Sequence, residues 1–156
     1  MVQARYKPVT PDQRLRDLSK EFRGFEREEP GPERAERLAV FVRAAHHERQ
    51  LNMAMHAAQL CLEDDPDAPA LLVGAYLDPT AATEERLHAC SDLKDLARYI
   101  GREDVGGIAD ERLTATAREW VADASEAERR YRLRTITSLI SRAFADELRD
   151  ELDGRR

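Results

Sequence analysis

The sequence predicts an all-α protein: a compact bundle of five or six helices, with an N-terminal helical arm and a long C-terminal amphipathic helix. Three observations carry this expectation. Apolar residues recur at three- and four-residue steps through most of the chain, the spacing that places them on one face of a helix. Glycine and proline are few, seven of each, and they cluster in the breaks between periodic segments. No segment alternates apolar and polar residues with β-branched enrichment, so no sheet is expected.

Taken in order, residues 1–10 should be extended or poorly ordered. Thr10 or Asp12 can cap a short helix over about 11–28, with Leu15, Leu18, Phe22 and Phe25 on one side. Pro30-Gly31-Pro32 ends it, because proline can neither donate a backbone hydrogen bond nor continue a helix there. This divides the chain into an arm with its linker, residues 1–32, and a helical bundle domain, residues 33–156. From Glu33 to about Glu63 the pattern reads as a long helix. Its apolar stripe rotates near His47–Gln50, where a kink or break is expected. The second half, Leu51 to Leu62, is apolar almost all round and suits a position near the centre of the bundle.

Asp65-Pro66 and Asp78-Pro79 each place a capping carboxylate before a proline at the first helical position, where the missing N–H costs nothing. They predict helices over about 66–77 and 79–100, the second closed by Gly101 as a left-handed cap. Gly106-Gly107 marks a further turn, followed by a helix over about 108–123 with Leu113, Ala117, Trp120 and Val121 inward. Ser125 and Glu128 form a capping box that opens the last helix. Leu133, Ile136, Ile140, Phe144 and Leu148 then carry one apolar face to about Leu152. Asp65-Pro66-Asp67-Ala68 and the following Leu71–Tyr76 segment resemble a tetratricopeptide repeat over about a dozen residues. Gly74 and Tyr76 fall out of register, however, and no period of about 34 residues recurs, so no repeat architecture is expected.

Composition sets the functional bounds. The 156 residues suffice for one domain with a real core. Charged residues make up 36% and aromatics 6%, as suits amphipathic helices with solvated outer faces. No stretch approaches the roughly 20 apolar residues of a membrane span, and no secretory signal is read at the N-terminus. Cys61 and Cys90 lie in apolar stretches and read as buried reduced thiols, which makes the cytoplasm the expected compartment. The net charge of −6 argues against indiscriminate nucleic-acid binding. Between Arg129 and Ala145, though, there are five arginines and no acidic residue.

Candidate chemistry is sparse. Glu85, His88, Asp92 and Asp95 share a helical stripe with the Glu-x-x-His spacing of di-iron bundles, but no second such motif supplies a facing half. The stripe also lies opposite Cys90, Leu93 and Ala97, so it should face water. His46-His47-Glu48 lacks further ligands, and neighbours on a helix point about 100° apart. Asn52, His56, Gln59 and Glu63 form a polar stripe that would set register or line a pocket if buried, and would be plain surface if exposed. No nucleophile elbow, phosphate-binding loop or dinucleotide fingerprint occurs, and no cofactor is expected. The remaining signal is the polar face of the last helix, where Tyr131, Arg134, Ser138, Arg142 and Arg149 lie along one side. Such groups can hold an acidic surface of a protein partner, pair internally with the acidic 67–124 region, or contact phosphates. The expected role is a non-enzymatic interaction or regulatory module for a protein partner or a second copy. Nucleic-acid association through the same arginines is the alternative, and a metal-binding bundle the third reading.

Overall fold

The computed structural model describes residues 10–154, all helix and connection, with no strand among them. The extended segment expected over residues 1–10 lies, apart from Thr10, outside the described residues. Eight helices follow in order: α1 (Pro11–Arg27), α2 (Pro32–His47), α3 (Leu51–Asp64), α4 (Ala68–Tyr76), α5 (Thr83–Tyr99), α6 (Glu103–Ala122), α7 (Glu126–Leu139) and α8 (Arg142–Asp153). The all-α expectation holds at this level. The count exceeds five or six because two expected long helices are each divided in two.

The described residues form two compact units that part between Ala68 and Pro69. The expectation set residues 1–32 apart as an arm with its linker; α1, within that stretch, packs against both α2 and α3.

In the first unit, Thr10 caps α1, its hydroxyl accepting from Gln13 N–H at 3.2 Å. Leu18 and Phe25 are buried, Phe22 is half-buried and Leu15 is exposed. Phe41 of α2 receives this face: its ring stacks on Phe22 at 5.9 Å and meets Phe25 edge-on at 5.5 Å. The expected break near His47–Gln50 is a full stop between helices, and Arg49 adopts a left-handed φ of 61° there. On α3, Ala54, Ala57, Ala58, Cys61 and Leu62 are buried. Leu51, Met53, Met55 and Leu60 are only half-buried, so the all-round apolar half-helix is not enclosed on every side. Its small residues form the packed stripe that lets α2 approach closely.

The side chain of Arg34 is buried, and so is that of its partner Asp64. The guanidinium donates to both carboxylate oxygens of Asp64, at 2.6 and 2.7 Å, and to the carbonyls of Phe25 and Glu28, at 3.1 and 3.0 Å. One side chain therefore binds carbonyls at the end of α1 and joins α2 to the end of α3.

The two Asp-Pro pairs, Asp65-Pro66 in the first unit and Asp78-Pro79 in the second, do not open helices as expected. Asp65 Oδ1 accepts from Asp67 N–H, and Asp78 Oδ1 from Thr80 N–H, both at 2.9 Å. Each carboxylate closes a tight local turn, and the helix begins a few residues later. Gly106-Gly107 makes no turn either. Both lie inside α6, where a Cβ on Gly106 would stand 3.7 Å from the Ala97 Cβ, so α5 and α6 run close together. Gly101, with φ of 70°, closes α5 as expected.

The core here gathers Leu87 and Cys90 of α5, Leu113, Ala117 and Val121 of α6, Leu133 and Ile136 of α7, and Ala145 and Leu148 of α8. The expected C-terminal helix over 125–152 is two helices. It stops at Ile140 (φ −119°, ψ −80°), and Ser141 restarts it by accepting from Phe144 N–H at 3.1 Å. A serine can cap without any glycine or proline nearby. The break lets Ile136 and Leu148 face one core from two helices rather than along one rod.

Candidate functional site

The break at Ile140–Ser141 folds α7 and α8 into an antiparallel hairpin with an open cleft of about 460 Å³ between them. Its walls are Glu126, Arg129, Arg130, Leu133, Arg134 and Thr137 from α7, with Arg149 and Asp153 from α8. The early part of α7 thus faces the late part of α8. Leu133 is buried beneath the cleft, and the arginines stand above it. Four guanidinium groups against two carboxylates leave the lining net positive in a protein that is acidic overall.

These arginines are not equally engaged. Arg149 pairs with Asp146 at 3.3 Å, and Arg129 approaches Asp153 at 4.0 Å. The Nε of Arg129 is shielded from solvent and has no hydrogen-bond partner among the described residues. Arg130 and Arg134, both exposed, make no ion pair or hydrogen bond with any described residue. By contrast Arg132, outside the cleft, is fully used. It donates to the Trp120 carbonyl at 2.7 Å and to Glu128 at 2.6 Å, and lies over the Trp120 ring at 5.1 Å.

Of the five residues expected to share one basic face, the structure brings Arg134 and Arg149 together across the cleft. Tyr131, Ser138 and Arg142 do not line it. Tyr131 donates its phenolic O–H to Glu84 of α5 at 2.6 Å, and that bond to a carboxylate holds its pKa above the usual value. The single continuous face is corrected for a plain reason: the chain reverses between Ser138 and Arg142. Sequence reasoning missed Arg130, Leu133 and Thr137 as cleft residues. The spacing of Ser141 to Phe144, a second cap inside the helical pattern, was the signal that could have found them.

No family model matches this chain, and no curated protein or solved structure matches it.

The polar stripe of α3 is on the surface, which overturns the buried reading. Asn52, His56, Gln59 and Glu63 are all exposed, because the alanine face of the helix is the packed one. The His56 ring lies 6.5 Å from Phe22. Glu85, His88 and Asp92 are likewise exposed on α5, and Asp95 pairs with Arg98. No group of three or more His, Cys, Asp or Glu placed to hold a metal occurs among the described residues.

Cys61 and Cys90 are buried and unbridged. Burial pushes the Cys61 thiol up to about 12 and the Cys90 thiol up to about 11, so both stay protonated at neutral pH and neither is an activated nucleophile. Cys61 donates to the Ala35 carbonyl at 3.2 Å, serving the α2–α3 contact. Among the described residues, no helix is long and apolar enough to cross a membrane.

Proposed function

We propose that this chain is a non-enzymatic helical interaction module that holds an acidic segment of a partner protein in the α7–α8 cleft. The observation that carries this reading is the pair Arg130 and Arg134, exposed on one wall and unmatched by any described carboxylate. Planar guanidinium groups engage carboxylates in two-point fashion, and two of them about one helical turn apart suit acidic side chains on an extended peptide. Glu126 and Asp153 on the same walls oppose a continuous run of phosphates, and so does the net charge of −6. The protein partner is therefore favoured over nucleic acid.

The test uses a fluorescent 12-residue peptide rich in Glu and Asp, beside a single-stranded DNA of the same length. Arg130→Glu/Arg134→Glu is expected to weaken peptide binding by about tenfold or more while the helical circular-dichroism spectrum is unchanged. Unaltered peptide binding by the double variant dismisses the cleft. Tighter binding of the DNA, with a steep loss on adding salt, transfers the site to nucleic acid.

A further inference from the structure

A second surface, in the first unit, has the opposite character. Between α1 and α2 runs a groove of about 690 Å³. Phe25 and Phe41 form its floor, Gly24 and Ala44 keep it shallow, and Val40 stands in it 66% exposed, the highest value among the large apolar side chains described. Ion pairs bound it at both ends, Glu28 with Arg37 at 2.6 Å and Arg14 with Glu48 at 3.5 Å. Those pairs use up its cations. The two remaining carboxylates on its rim, Glu21 and Glu36, make no pair with any described residue.

Gly24 gives independent support. Glycine inside a helix destabilises it relative to alanine, so its presence asks for a reason. The fold supplies none: a Cβ at Gly24 would meet nothing within 4 Å, and its φ is not left-handed. What the missing side chain does is leave the groove open for another backbone to come close.

We propose that this groove seats an amphipathic helix of a partner protein, whose apolar stripe covers Val40 and the phenylalanine floor and whose flanks carry lysine or arginine. Charge complementarity selects the flanks, since among the described residues the unspent charges on the rim are those of Glu21 and Glu36. Length selects the form. From Arg14 to Glu28 the groove follows α1 for about 21 Å at ~1.5 Å per residue, which accommodates roughly four turns of a helix laid alongside.

The probe is a displayed library of 16-residue peptides with leucines fixed at helical three- and four-residue spacing and all other positions random, selected against the full chain. Enriched peptides should carry Lys and Arg beside the leucine stripe. They should lose about tenfold or more in affinity on Gly24→Leu, and comparably on Glu21→Lys/Glu36→Lys. Gly24→Leu raises helix propensity in α1, so a loss of binding with an intact or raised melting temperature is not a failure to fold. Failure to enrich any peptide overturns the proposal, as does enrichment of acid-flanked peptides or binding indifferent to both variants. Sedimentation that shows a dimer dissociated by Gly24→Leu also overturns it, because the occupant is then a second copy.

Discussion

Arg34 and Asp64 are 6% and 1% exposed at their side chains, and their pairing carries a large cost as well as a large benefit. Withdrawing two charges from water costs several kcal/mol per ion, which close bidentate contact and added hydrogen bonds must offset. Here the guanidinium uses its remaining donors on the Phe25 and Glu28 carbonyls, so little is left unsatisfied. Arg34→Met leaves the Asp64 carboxylate buried and alone, and is expected to cost about 3–5 kcal/mol of unfolding free energy in urea titration. Arg34→Met/Asp64→Leu should recover most of that loss, since a matched apolar pair removes the orphan charge. A double variant no more stable than the single one would show that the two carbonyl contacts, not the ion pair, are what matters. Nothing local in the sequence announced this pair. Arg34 reads as one more arginine on a charged helix, and its partner is thirty residues away.

The helix ends were more legible where one residue type meets one geometry. Gly101 and Arg49 occupy the same structural position. After α5, Gly101 N–H bonds to the Arg98 carbonyl and Arg102 N–H to the Ala97 carbonyl; after α2, Arg49 N–H bonds to His46 and Gln50 N–H to Ala45. Both are Schellman closures with a left-handed residue in the middle, φ 70° for Gly101 and 61° for Arg49. Glycine advertises that conformation in a sequence and arginine does not. The break near His47–Gln50 was therefore visible only as a rotation of the apolar stripe. Arginine pays a steric penalty there that glycine avoids, so Arg49→Gly should raise stability by about 1 kcal/mol, read as an upward shift of the denaturation midpoint. No gain, or a loss, would mean that the Arg49 side chain makes contacts worth more than its backbone strain. The hairpin of α7 and α8 was hidden for a related reason. Leu133, Ile136, Ile140, Phe144 and Leu148 keep helical spacing straight through the reversal, and periodicity alone cannot distinguish one rod from two that share a core.

At the scale of the molecule, the fold class followed from periodicity, while the grouping of helices did not, because which faces meet depends on contacts far apart in sequence. Proline and glycine suggested a break at Pro30-Gly31-Pro32, and across it Arg34 and Phe41 of α2 hold α1 in one unit with its neighbours. The two units have separate candidate surfaces, one positive over α7–α8 and one apolar and acidic over α1–α2. Each surface rests on its own buried residues, Leu38 of α2 for the first unit and Leu113 of α6 for the second, both fully buried. Truncating a buried leucine to alanine costs about 2–5 kcal/mol, and the loss is felt first by the cooperative unit that contains it. Leu113→Ala is thus expected to accelerate amide hydrogen exchange mainly across residues 69–154, and Leu38→Ala mainly across residues 10–68, as followed by mass spectrometry of proteolytic fragments. If either substitution raises exchange equally in both stretches, the chain unfolds as one cooperative body. The two surfaces would then rise and fall together instead of being independently tunable.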